Sequence, residues 1–245
     1  MSEKQFKIKL YADGANLDGM KKLAQNPIIQ GFTTNPTLMR QAGIEDYEAY
    51  GRQVLSSIPN HPISLEVFAD DLAEMEKQAR YIATWGKNVN IKIPVTNTKG
   101  EFTGPIIQRL SNEGVILNIT AIMLPEQVKA VVDCYADNVP GIISVFAGRI
   151  ADSGVDPVNI MKKSLEIMSR KSKLELLWAS TRELLNIVQA DEIGCHIITV
   201  PHNILDKLSQ LGKDLKEYSL ETVKMFAKDA QSANYAIYYD SRTKA

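Results

Sequence analysis

Four polar residues, Glu66, Lys92, Asn118 and Ser144, fall in four successive apolar segments, each separated from the next by 26 residues. Each breaks an aliphatic alternation. Ile63, Leu65 and Val67 alternate with Ser64, Glu66 and Phe68; Val89, Ile91 and Ile93 with Asn90, Lys92 and Pro94; Val115, Leu117 and Ile119 with Ile116, Asn118 and Thr120; Ile143 and Val145 with Ser144 and Phe146. Asp13 ends the first segment on the side of Tyr11. A carboxylate, an amine, an amide and hydroxyls are thus predicted on one face, at similar heights. Burying an unpaired charge costs several kcal/mol, so these groups need partners or a function. A structural Lys92–Glu66 ion pair is the plain reading. The alternative is covalent chemistry, because a desolvated lysine exposes its lone pair and adds to a ketone as an iminium. That iminium is an electron sink, so a neighbouring C–C bond breaks without metal or pyridoxal phosphate. A carboxylate must then take the proton of the departing carbon's hydroxyl. Asp13 is the candidate, and Glu66 is placed to shuttle protons through a water during iminium formation.

Such a face needs a scaffold. Short apolar segments at 7–12, 31–34, 63–68, 88–94, 115–120, 142–146, 174–179 and 195–200 read as eight strands. Segments 71–85, 125–136, 157–171, 181–189 and 220–236 carry apolar residues at helical spacing. Strand–helix alternation implies a parallel sheet, and eight units imply a closed (β/α)8 TIM barrel, with an open doubly wound sheet as runner-up. The expectation is a single α/β barrel domain over 1–245, with about 204–245 as a C-terminal helical extension. Catalytic residues of such barrels gather at the C-terminal strand ends, which favours the covalent reading.

Composition removes other classes. Apolar residues at 44% and charged residues at 23% exclude a disordered chain or a fibre. A net charge of −1 provides no field for nucleic acid or an anionic membrane, so anionic substrates require local basic residues. Two cysteines, Cys134 and Cys195, and three histidines suggest neither a disulfide framework nor a zinc site. His196 reads as a satisfied core residue and Cys195 as a small hydrophobe, whereas His61 and His202 have no evident partner set. Without a signal-like or membrane-spanning apolar run, a cytoplasmic location is expected. Tyr235, Tyr238 and Tyr239 are candidates for packing on a neighbouring subunit.

The residues also resemble the transaldolase family. LYADGANL at 10–17, GFTTNPTL at 31–38, SLEV at 64–67, NIKIPVT at 90–96, GVILNIT at 114–120, ISVFAGRI at 143–150 and WASTRE at 178–183 occur in family order. The resemblance implies a circularly permuted class I aldolase barrel needing no cofactor and no metal. It makes Lys92 the Schiff-base lysine and Asp13 the acid/base residue, with Glu66 and Thr120 positioning the catalytic water. Asn35 and Asn118 would hold donor hydroxyls, joined in binding substrate by Thr34, Ser144 and Phe146. Arg149, Ser180 and Arg182 would form the phosphate pocket, a donor set that suits phosphate.

Glu66 and Phe146 look like the transaldolase branch, since the fructose-6-phosphate aldolase branch carries glutamine and tyrosine there. Thr37, Thr181 and Val145 depart from common family residues, which bears on acceptor preference more than on the chemistry. The implied partners are small-molecule sugar phosphates and further copies of the chain, as a pentamer or decamer or as a dimer, with no nucleic acid or membrane. Three functions stay open: a transaldolase, an aldolase acting on fructose 6-phosphate or another sugar, and a non-catalytic sugar-phosphate binder.

Overall fold

A computed structural model describes residues 6–237. Tyr238 and Tyr239 lie outside the described residues. The chain divides into two compact units between Lys207 and Leu208. In the first, eight parallel strands close in sequence order: β1 (Lys9–Asp13), β2 (Ile29–Thr33), β3 (Ile63–Glu66), β4 (Val89–Pro94), β5 (Leu117–Ile122), β6 (Gly141–Val145), β7 (Leu174–Trp178) and β8 (Ile197–Pro201). This is the (β/α)8 barrel the sequence predicts, and each strand overlaps its predicted segment.

Helices α1 (Leu17–Leu23), α2 (Pro36–Gln41), α3 (Tyr47–Ser57), α4 (Leu72–Ala83), α5 (Gly104–Asn112), α6 (Pro125–Cys134), α7 (Ala147–Asp152), α8 (Pro157–Met168), α9 (Leu185–Glu192) and α10 (His202–Leu205) fill the connections. Several begin on side-chain caps that satisfy free helix-start N–H groups. Asp71 accepts from Ala73 and Glu74, and Asp156 accepts from Val158 with Pro157 at the first helical position. In α4, Met75, Ala79 and Ile82 recur at helical spacing and are buried. The predicted helix at 181–189 instead starts at Leu185, leaving 180–184 as the loop after β7.

Residues of one parity, including Ile63, Leu65, Ile91, Ile93, Leu117, Ile119, Ile143 and Val145, are almost fully buried. They form the apolar layer expected between strands and helices, each worth about 1.5–3 kcal/mol relative to exposure. The other parity points inward and divides in two. Tyr11, Ile142, Leu177, Ala179 and Ile197 make an apolar cluster, with Phe146 packed against it. The polar residues gather on the remaining strands.

Register places Glu66 beside Lys92 and Lys92 beside Asn118. The predicted common height stops there. Asn118 pairs with Ile142, and the register slips between Ile119 and Ile122, where Ala121 adopts φ 62°. The Asn118–Ile142 pairing, which precedes that slip, already leaves Ser144 one inward step nearer the C-terminal end than Asn118.

The second unit contains a 3-10 turn (Leu208–Gln210) and α11 (Leu215–Ser232), capped by Asp214. α11 buries none of its residues and exposes Leu220, Val223, Met225 and Phe226. Among the described residues no helix is long and apolar enough to cross a membrane.

Candidate active site at the C-terminal strand ends

Lys92 occupies the centre of the polar half. Its side chain, 8% exposed, donates from Nζ to the Thr34 carbonyl at 2.8 Å and lies 3.2 Å from Glu66 Oε2. β4 positions the amine and the last residue of β3 positions the carboxylate. The backbone carbonyl of Glu66 accepts from Tyr47 at 2.8 Å, which ties the strand end to α3. Thr34 reaches the site through its carbonyl, because its buried hydroxyl donates to the Ser64 carbonyl at 2.8 Å.

Asn118 sits one strand further on, fully buried. Its amide nitrogen donates to Ser64 Oγ at 3.0 Å, and its oxygen accepts from Ser144 Oγ at 2.6 Å. β3, β5 and β6 are thereby linked through three neutral groups that are satisfied as buried polar atoms must be. Thr120 Oγ1, next to the Ala121 irregularity, is buried with no hydrogen-bond partner among the described residues.

Asp13 closes the ring from β1. Its Oδ1 accepts from the Thr33 hydroxyl at 2.8 Å, and that hydroxyl is also in hydrogen-bond contact with the Thr199 hydroxyl. Burial raises the Asp13 carboxyl above its ordinary value, while the positive field of Lys92, the Thr33 hydrogen bond and His202 oppose the rise. The Lys92 and Asp13 groups therefore share one electrostatic environment, with the carboxyl poised as a base stronger than a solvated aspartate.

The phosphate-pocket candidates lie on the next two loops. Gly148, the second residue of α7, is in direct contact with the loop after β7. Its N–H donates to the Ala179 carbonyl at 3.3 Å, and an ideal Cβ there would meet the Ser180 carbonyl oxygen at 1.6 Å. Ser180 itself adopts φ 66°, a left-handed conformation. Arg149 stacks 5.8 Å over the Phe146 ring. Arg182 is engaged: Nε donates to Asp152 Oδ1 at 3.0 Å, Nη2 to Oδ2 at 2.5 Å and Nη1 to the Ser180 carbonyl at 3.0 Å. Asn35 caps α2, its Oδ1 accepting from Leu38 at 3.0 Å.

The structure thus joins Lys92, Glu66 and Thr34, and separately Asn118 with Ser144. It adds Thr33, Ser64, Thr199 and Tyr47, which the sequence reading did not select as site residues. Ser64 and Thr199 share the inward parity of Glu66 and Ile197, which is the signal that finds them. Cys195 is buried as expected, with its thiol pushed up to about 12 by burial. His196 is exposed rather than in the core, because it precedes β8 at the opposite barrel end; its Nδ1 accepts from Leu176 at 3.0 Å. Among the described residues no three His, Cys, Asp or Glu side chains converge as metal donors.

A closed parallel (β/α)8 barrel with a buried lysine beside a carboxylate at a strand end is the architecture the sequence predicts. Residues 10–237 match the model of the transaldolase/fructose-6-phosphate aldolase family, and the chain belongs to that family. It is 35% identical over 204 residues to a probable transaldolase of Dehalococcoides mccartyi, covering 83% of this chain and 91% of the relative. A probable transaldolase of Nitrosopumilus maritimus is 31% identical over 205 residues, covering 83% and 88%. Among solved structures, KGPDC from Streptococcus mutans shares the fold, with a TM-score of 0.56 at 12% identity over 82% of this chain and 91% of that one. The family and these names support a transaldolase-type enzyme.

Proposed function

We propose that this chain is a transaldolase that moves a dihydroxyacetone unit from a ketose phosphate, sedoheptulose 7-phosphate or fructose 6-phosphate, to an aldose phosphate through a Schiff base on Lys92. The observation that carries the proposal is the buried Lys92 amine 3.2 Å from the Glu66 carboxylate, in the field of Asp13.

The amine attacks the donor ketone carbon. Glu66 is placed to accept the proton the nitrogen sheds and, with the unpartnered Thr120 hydroxyl, to hold the water that leaves as the carbinolamine becomes an iminium. Asp13 takes the proton of the C4 hydroxyl. The C3–C4 electron pair passes into the iminium, and the aldehyde departs. The enamine then adds to a second aldehyde, Asp13 returns its proton to the new hydroxyl, and water releases the product. Asn118, Ser144 and Asn35 suit the hydroxyls of the retained unit. Arg149, Ser180 and Arg182 suit the phosphate, for which Arg182 exchanges its Asp152 partner.

Phe146 favours transfer over release. It has no hydroxyl with which to protonate the bound carbanion, so the enamine waits for an acceptor. We further propose a cytoplasmic homo-oligomer, which the exposed apolar residues of α11 support.

Borohydride reduction in the presence of fructose 6-phosphate tests the chemistry. The wild type is expected to gain a covalent adduct on Lys92, and Lys92→Met to gain none. No adduct on the wild type, or an adduct on another lysine, would overturn the reading. Release of free dihydroxyacetone in the absence of acceptor would instead identify the aldolase activity.

A further inference from the structure

His202 has no part in the mechanism above. It follows Pro201, which pairs with Asp13 across β8 and β1, and it opens α10 at the catalytic rim. Its ring occupies a slot made by two glycines. An ideal Cβ on Gly14 would lie 2.8 Å from Nε2, and one on Gly19 would lie 3.2 Å from Cε1. The absence of side chains at both positions leaves room for the imidazole. Nε2 is buried with no hydrogen-bond partner among the described residues. An unsatisfied buried nitrogen is unfavourable, so its retention beside the base calls for a cause. The contacted Gly14 directly follows Asp13, and its N–H donates to the Thr33 carbonyl at 3.1 Å. The corner that carries Asp13 is therefore fixed by Thr33 on one side and by the imidazole on another.

We propose that His202 is a positioning residue for Asp13, bracing the corner between β1 and α1 and presenting a polar ring edge to it during the proton transfers of C–C cleavage and formation. The proposal rests on the Schiff-base reading. His202 exchanges no proton with substrate: Asp13 gains one from the C4 hydroxyl as C3–C4 breaks and returns one as the new bond forms. Among the described residues, Lys92 from β4 and His202 from α10 act on Asp13 from two sides, and β2 and β8 bring the hydroxyls of Thr33 and Thr199. His202 supports the ionised carboxylate against the burial that opposes it.

Two variants of the full chain separate positioning from packing. His202→Phe keeps a ring and removes both nitrogens; His202→Gln keeps a polar end. Borohydride trapping with fructose 6-phosphate is expected to stay at wild-type extent in both, since Lys92 and Glu66 form the adduct. Transfer kcat is expected to fall about tenfold in His202→Phe, a fraction of what a general acid–base group supplies, with KM little changed. The acid limb of its kcat profile should move to higher pH, and His202→Gln should recover part of kcat. Wild-type kcat with an unmoved acid limb in His202→Phe overturns the proposal, as does loss of trapping in parallel with loss of transfer. Should His202→Phe fail to fold, the same two outcomes in His202→Gln decide. Absence of trapping in the wild type sinks the Schiff-base reading instead.

Discussion

Replacing Thr33 by valine tests how the site holds its base. The Thr33 hydroxyl donates to Asp13 Oδ1 at 2.8 Å and also meets the Thr199 hydroxyl. A hydrogen bond to an ionised group contributes about 1.5–3 kcal/mol, and each ~1.4 kcal/mol is a factor of ten in an equilibrium. Losing it therefore disfavours the carboxylate at least tenfold and raises further a group that burial already raises. In the proposed mechanism cleavage needs the carboxylate, so the acid limb of transfer kcat moves to higher pH. The same substitution strands the buried Thr199 hydroxyl, whose carbonyl but not hydroxyl is engaged by Thr181, at a cost of about 1–3 kcal/mol in stability. The two effects separate in Thr33→Val/Thr199→Val. With both hydroxyls gone and shape kept, the part of the loss due to the stranded Thr199 hydroxyl is recovered, because removing both partners together is nearly neutral, while the part due to the lost Asp13 hydrogen bond remains. The pH limb should stay displaced. Chemical denaturation gives the first quantity and a kcat–pH series with saturating fructose 6-phosphate and acceptor gives the second. A double variant whose acid limb overlays that of the wild type would show that Thr33 does not tune Asp13.

Two further outcomes follow from the frame around the site. Glu76 on α4 accepts from Arg109 on α5 and from Arg80, and these bonds hold its carboxyl at about 2, below the ordinary 4.5. A lowered acid stabilises the fold above its unfolded value and loses that contribution as pH falls through about 2. Undamped, the shift is worth about 3 kcal/mol; with both arginines roughly half exposed, screening leaves about 1–2 kcal/mol for Glu76→Gln at neutral pH. Denaturation midpoints of wild type and variant should converge in acid, and a gap independent of pH would contradict the linkage. Gly148→Ala drives a methyl into the Ser180 carbonyl, so α7 and the loop after β7 must part. The expected result is about 1–3 kcal/mol lost and a raised KM for phosphorylated donors, checked against retained trapping at Lys92.

The barrel is legible in the sequence because its strands are buried on both faces. Aliphatic residues fill the outward parity, and a polar residue can survive only on the inward one, so Glu66, Lys92 and Asn118 stand out at equal spacing and do occupy neighbouring register positions. Spacing counts residues, however, and not the stagger between neighbouring strands. Asn118 pairs with Ile142, which sets Ser144 a step higher than 26-residue spacing could foretell, although its hydroxyl still reaches Asn118. Short helices were hidden for a different reason. α2, α7 and α10 have four to six residues, too few for periodicity to register, and α2 is set by the Asn35 cap and Pro36.

The least legible features are those made by contact between loops. Arg182 reads as a free phosphate ligand until Asp152, thirty residues earlier, is seen to hold it in a fork. His202 lies beyond the end of β8, where strand parity gives no direction, and the residues that define its place are two glycines. In the sequence a glycine reports only freedom; in the fold, Gly14 and Gly19 report the shape of the ring between them. Enlarging Gly14 by a methyl therefore tests the same contact from the other side, because the added carbon would lie 2.8 Å from the His202 ring and the imidazole must shift.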